Sequence, residues 1–205
     1  AVVPSAGDEV RVGPASAVWI TNATPLLSSF RITGGTLIFT NWTTRLLAET
    51  VTIESNAVVT VAGPFATNQM SNRVWIVCTN LLVTAGGRID ADGKGYVGSQ
   101  GPGAAPNVAR YGGGGYGGRG GWGDQGSGGI TNGSVHQPEG PGSGGAYGAY
   151  GAAGGGALWI EASGTADIRG VVTARGANSA NSFGGGGSGG SIFLRCGVFT
   201  GTTNG

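Results

Sequence analysis

Glycine constrains this sequence more than anything else in it. It supplies 46 of the 205 residues, and all but five of these (Gly7, Gly13, Gly34, Gly35 and Gly63) lie from position 86 onward. So much glycine ordinarily marks a low-complexity or disordered chain, because glycine loses the most backbone freedom on folding. Yet the same half carries compact apolar runs such as Ala157-Leu158-Trp159-Ile160, which a disordered chain lacks. The spacing of the glycines offers a structural reason for them. Gly114, Gly117, Gly120, Gly123, Gly126 and Gly129 recur at every third position, as do Gly142, Gly145, Gly148, Gly151 and Gly154, and then Gly184, Gly187 and Gly190. An extended polyproline-type helix turns once in about three residues, so this spacing lines one edge with glycine. Such edges let backbones approach and hydrogen-bond to each other, which gives their amides partners. The expectation is a polyglycine-II-like side layer. Collagen is disfavoured by only 8 prolines and by the shortness of the runs; plain flexible loops are the simpler alternative.

The same phase places Tyr116, Arg119 and Trp122 along one row and Tyr147 and Tyr150 along another. Aromatic faces among small polar groups suit stacking on sugar rings or on a neighbouring subunit. The plainer reading is that these rings cover the glycine layer and anchor it.

The first ninety residues have a different texture. Short β-branched runs recur, among them Val10-Arg11-Val12, Val18-Trp19-Ile20, Phe30-Arg31-Ile32, Leu37-Ile38-Phe39, Val51-Thr52-Ile53 and Val58-Val59-Thr60-Val61. Most alternate with polar residues, the pattern of half-buried strands, and turn formers such as Gly34-Gly35, Asn56 and Gly86-Gly87 separate them. Leu46-Leu47-Ala48-Glu49 is the one helix-like patch. Strands this short fit a sandwich or a solenoid; their close spacing favours a solenoid with three short faces per coil.

Internal repetition points the same way. Val74-Trp75-Ile76-Val77-Cys78 corresponds to Leu158-Trp159-Ile160-Glu161-Ala162 and to Ile192-Phe193-Leu194-Arg195-Cys196. Ile89-Asp90-Ala91-Asp92-Gly93 likewise matches Val172-Thr173-Ala174-Arg175-Gly176. Such self-similarity implies stacking of like units. Cys78 and Cys196 occupy equivalent positions with Ala162 between them. Stacked in sequence order they stand two rungs apart, roughly 9–10 Å, beyond the reach of a disulfide.

Charged residues make up 10% of the chain and the formal net charge is +1, which removes the electrostatic case for nucleic acid or an acidic membrane surface. No run is long and apolar enough to span a bilayer. Sequons at Asn22, Asn41 and Asn132 are what a Thr- and Asn-rich sequence produces by chance. His136, the single histidine, sits in a Gly/Pro-rich loop without a nucleophile context, and no Cys/His metal spacing or phosphate loop is present. Asp90 and Asp92, with Asp124, are a weak calcium candidate; such pairs more often mark a solvated corner. No cofactor is expected. A polysaccharide lyase or hydrolase would need clustered acids, for which Glu161, Asp167, Arg169 and Arg175 are the available set, and these read equally well as outward-facing strand residues.

The segments Gly184-Gly185-Gly186-Gly187-Ser188-Gly189-Gly190-Ser191-Ile192-Phe193-Leu194-Arg195-Cys196 and Gly154-Gly155-Gly156-Ala157-Leu158-Trp159-Ile160 resemble the glycine-rich parallel β-helix repeats of bacterial surface and secreted proteins. Ile32-Thr33-Gly34-Gly35-Thr36-Leu37-Ile38-Phe39 resembles the repeats of G8-type β-helical domains. The resemblance implies a right-handed parallel β-helix, an extracellular or cell-surface setting, and a role in adhesion or surface architecture, with no catalytic set to carry over. The expected organisation is therefore one continuous all-β domain: solenoid coils over 1–97, then coils over 98–205 interrupted by glycine-rich loops at 98–156 and 176–190. In such repeats further strands follow the one matching Ile192–Cys196, whereas Val198-Phe199-Thr200-Gly201-Thr202-Thr203-Asn204-Gly205 reads as mid-coil. The expected function is a self-assembling extracellular fibre or adhesion subunit, stacking head to tail through an edge formed by Phe193, Cys196, Val198 and Phe199. A glycan-binding module or a β-helix lyase or hydrolase is the alternative.

Overall fold

The computed structural model describes residues 3–66, 70–107, 110–124, 128–180 and 182–202. Gly126 of the three-residue phase, and Thr203, Asn204 and Gly205, lie outside the described residues. Among the described residues eleven strands fall into two parallel sheets. One holds β1 (Glu9–Val12), β3 (Leu27–Ile32), β5 (Leu46–Ile53), β7 (Val74–Val83), β9 (Ala157–Ile168) and β11 (Ser191–Gly201), in that order. The other holds β2 (Ala17–Ile20), β4 (Gly35–Phe39), β6 (Ala57–Val61), β8 (Arg88–Asp90) and β10 (Val171–Thr173). Successive strands alternate between the sheets, so every partner is reached by a crossover, as parallel pairing requires.

Like residues stack because the registers bring them level. Val10, Phe30, Val51, Leu81, Ala166 and Phe199 form one column across the six-stranded sheet, and Val12, Ile32, Ile53, Val83, Ile168 and Gly201 form another. Val18, Leu37, Val59, Ile89 and Val172 do the same across the five-stranded sheet. Except at Phe199 and Gly201 on β11, these columns meet in one apolar core. Burying each Val, Leu or Ile in it contributes about 1.5–3 kcal/mol. The outward positions carry the polar and charged residues, giving the two-residue alternation visible in the sequence.

The expected right-handed parallel β-helix, a solenoid of three short faces per coil, is overturned: the strands form two parallel sheets side by side, and these are not closed. The long strands explain the difference. Val74–Val77 and Leu81–Val83, two short apolar runs parted by Cys78-Thr79-Asn80, are one continuous strand, β7, with a register irregularity between Cys78 and Leu81 where it lies on β9. Leu46–Glu49, the helix-like patch, opens β5, where Leu46, Leu47 and Ala48 pair with Ile76, Val77 and Cys78. With these runs fused, the described residues hold no separate strands to build a third face.

In place of the expected polyglycine-II-like side layer, the segments 98–156 and 176–190 are loops in which, among the described residues, the only regular element is a single 3-10 turn, Gly148–Tyr150. Their amides nonetheless bond from segment to segment. Gly120 N–H donates to Gly129 O (2.9 Å), Gly129 N–H to Gly113 O (2.8 Å), Gly142 N–H to Gly155 O (2.7 Å) and Ala152 N–H to Gly185 O (2.9 Å). Gly154 N–H donates to Tyr96 O (2.8 Å), tying the loops to the chain that leaves β8. Backbones can come this close only without side chains: a Cβ on Gly154 would lie 2.1 Å from the Gly142 carbonyl oxygen.

Candidate functional site

The registers make β11 unusual. Ile192 continues the column of Val74 and Leu158, Leu194 that of Ile76 and Ile160, and Phe199 that of Leu81 and Ala166. The residues preceding them in those columns are buried, whereas Ile192 is 43% exposed and Phe199 62%. Thus β11 places core-type side chains at core positions along an uncovered sheet edge. Because the five-stranded sheet stops at β10, a groove of about 700 Å³ lies beside this edge, its apolar wall formed by Ile168, Val171, Val172, Ile192 and Phe199. Of the expected edge residues, Phe199 and Cys196 take these core-side positions, while Val198 (55% exposed) stands level with Thr165 after a register shift.

Phe193 points to the opposite face, where it joins a column that the sequence reading overlooked. Trp75, Trp159 and Phe193 lie level on successive strands. The Trp159 and Phe193 rings stack with centroids 4.0 Å apart, and Trp75 meets Trp159 edge-on at 6.4 Å. The guanidinium of Arg73, just before β7, packs over Trp75 (3.9 Å), Trp42 (4.7 Å) and Trp159 (5.4 Å). It is almost fully buried there, and Arg73 Nε donates to the Trp42 carbonyl at 3.0 Å. Each such cation–ring contact contributes about 0.5–2 kcal/mol. Glu161 closes the column: its Oε1 accepts from Trp159 Nε1 (2.8 Å) and Trp75 Nε1 (3.4 Å), and its Oε2 pairs with Arg195. Burial alone would raise the Glu161 carboxyl, but the two indole donors and Arg195 together hold it below its ordinary value. The aligned repeats already placed Trp75, Trp159 and Phe193 in equivalent positions, so this column could have been found.

The lyase-like set does not converge. Glu161 is engaged by the indoles and Arg195, whereas Asp167 pairs with Arg169 at 2.6 Å. The two acids lie six residues apart on β9, roughly 20 Å at strand rise. Arg175 contributes its backbone N–H to Asp92 Oδ1 (2.6 Å). That oxygen also accepts from Thr173 Oγ1 (2.6 Å), while Asp90 accepts from the Asp92 N–H (2.9 Å) and from Arg88 (2.7 Å). Asp92 thereby fastens the chain leaving β8 to the residues around β10, while the Asp90 carboxylate is held within its own segment. Among the described residues no group of three or more His, Cys, Asp or Glu could hold a metal ion. Cys78, Ala162 and Cys196 are level in register, so the two cysteines stand two rungs apart, both as free thiols. Burial pushes the Cys78 thiol up to about 12.

The two aromatic rows have different fates. Tyr116 turns under the 133–140 loop, its hydroxyl accepting from Gly140 N–H (3.1 Å), while Arg119 is exposed and Trp122 is 77% exposed. Tyr147 and Tyr150 come together as near-parallel rings 5.5 Å apart. Phe183 lies 6.5 Å from Tyr147 and 6.2 Å from Tyr111, and the Arg110 guanidinium sits 5.1 Å over Phe183. No pattern of spacing announced Arg110, Tyr111 and Phe183, since bonds between loops bring them there. Among the described residues no helix is long and apolar enough to cross a membrane. No family model, curated protein or solved structure matches the chain.

Proposed function

We propose that this protein is an extracellular or cell-surface structural subunit, without catalytic activity, that assembles with copies of itself through its uncovered strand edges. The observation that carries this reading is the continuation of the core columns into β11, where Ile192 and Phe199 remain exposed. An edge of unpaired backbone groups flanked by apolar side chains is a template for another strand. The same sheet supplies a partner at its other end, since β1 begins the columns that β11 ends. Setting Val10 of a second copy level with Phe199 and Val12 level with Gly201 extends both columns in their existing register. Glu161 is taken up by Arg195 and the indoles, and Asp167, roughly 20 Å away along β9, by Arg169, which supports a structural over a catalytic role.

Sedimentation velocity over a concentration series, with negative-stain electron microscopy of the same samples, tests this. The expected result is a mass that rises with concentration and linear particles on the grid. A monodisperse monomer at high concentration overturns it.

A further inference from the structure

The cluster formed by Tyr111, Tyr147, Tyr150, Phe183 and Arg110 belongs to neither sheet, and none of its residues lies on β10 or β11. Three of its rings are left open, with Tyr111 45%, Tyr150 55% and Phe183 42% exposed. Two of its members are held in an uncommon backbone state, Tyr111 at φ 65° and Tyr147 at φ 77°. Bulky residues enter the left-handed region at a cost of about 1–3 kcal/mol, and the surrounding structure must impose it. Here it is imposed amid plentiful glycine that would adopt the same angles freely, so the side chains are what the positions require.

The surroundings of Tyr150 indicate what the rings would face. On one side a shallow cavity of about 390 Å³ is lined by Tyr150, Asn178, Ser179 and small residues. On the other, beyond Ala149 and Gly151, lies a cavity of about 630 Å³ lined by Ser99, Gln100, Asn107 and small residues. Neither lining contains an acid, a lysine or an arginine. Amide side chains both donate and accept, which is the match a sugar hydroxyl needs, and a phenol ring offers its face to the C–H side of a pyranose. Aromatic platforms flanked by a few neutral polar groups are the usual make-up of such sites.

From this geometry we infer that the tyrosine cluster and its two flanking cavities form a binding site for a neutral polysaccharide, with a sugar ring stacked on Tyr150, which Tyr147 backs, and hydroxyls directed to Asn178, Gln100 and Asn107. The cavity linings carry no charge and Arg110, the one cation in the cluster, is packed over the Phe183 and Tyr147 rings, which selects against uronic-acid polymers. This site is independent of strand-edge assembly, and either can fail without the other.

Native affinity electrophoresis through gels containing laminarin, galactomannan or dextran, with polygalacturonate as the acidic comparison, provides the test. At least one neutral polymer is expected to retard the protein, and polygalacturonate is expected to retard it less. Tyr150→Ala and Asn178→Ala, both at exposed positions, are expected to weaken retardation at least tenfold while keeping the wild-type circular dichroism melt. Trp19→Ala, on β2, should behave as wild type. Retardation by none of the neutral polymers, retardation unchanged in Tyr150→Ala, or stronger retardation by polygalacturonate overturns the inference.

Discussion

At the scale of single residues, the glycines divide by what surrounds them rather than by their phase. Gly154 and Gly117 both belong to the three-residue pattern, yet a Cβ on Gly154 would meet backbone 2.1 Å away, and one on Gly117 would meet nothing within 4 Å. Gly154→Ala must therefore push apart segments that are hydrogen-bonded to each other, and a loss of about 2 kcal/mol or more is expected. Gly117→Ala should be neutral or slightly stabilising, because it narrows the unfolded ensemble. Urea titrations of the two variants check this, and equal losses would contradict it. The cysteines divide in the same way. Cys78 is buried and its thiol is raised to about 12, whereas Cys196 is partly exposed on β11. At pH 7.5 a maleimide should modify Cys196 in the native protein and reach Cys78 only after unfolding, as mass spectrometry of the labelled peptides would show.

At the scale of elements, pairing partners decided what the local pattern could not. The repeats made the register of β7, β9 and β11 readable, since Val74, Leu158 and Ile192 were aligned by sequence and are level in the sheet. Strand length was not readable. Thr79-Asn80 and Ser163-Gly164 look like turns, but the chain runs through both as strand with a register shift, because stopping would expose Leu81 and Ala166. Leu46–Ala48 has helical propensity and becomes strand because β7 offers it Ile76 and Cys78. The spacing put Tyr147 and Tyr150 in one row but announced nothing of Arg110, Tyr111 and Phe183, which come from other loops and are brought there by bonds such as Tyr111 N–H to Phe183 O (2.9 Å) and Ser179 Oγ to Tyr150 O (2.8 Å). The indole column, by contrast, ties three strands to one carboxylate. Because Glu161 is held below its ordinary value of 4.5, its contribution is present above that pH and is lost as pH falls through the lowered value. Thermal melts should show wild type more stable than Glu161→Gln at pH 7, the gap closing as pH drops below about 4. A gap that stays constant across that range would show that Glu161 acts by shape and not by charge.

At the scale of the whole molecule, the two sheets differ by one strand, and this sets the character of any joint between copies. Bringing β1 of one copy onto β11 of another extends the six-stranded sheet but leaves the groove beside β10 open. Such a joint buries less apolar surface than an interior rung, so assembly should be reversible and concentration-dependent rather than permanent. Its register is testable apart from its existence. With Cys196 replaced by serine, the pair Val10→Cys and Phe199→Cys would lie on neighbouring strands of different copies, close enough for a disulfide at the roughly 4.8 Å strand spacing. Mild oxidation with diamide should then give a ladder of covalent multimers on a non-reducing gel, and Ser5→Cys with Phe199→Cys should not. A charge on the edge works in the opposite direction: Phe199→Lys places an ammonium where an apolar column must continue, and it should hold the protein monomeric at concentrations where wild type assembles. Assembly that survives Phe199→Lys would mean the copies meet elsewhere. Assembly abolished by it, without cross-linking of the cysteine pair, would keep the β11 edge but reject the proposed register.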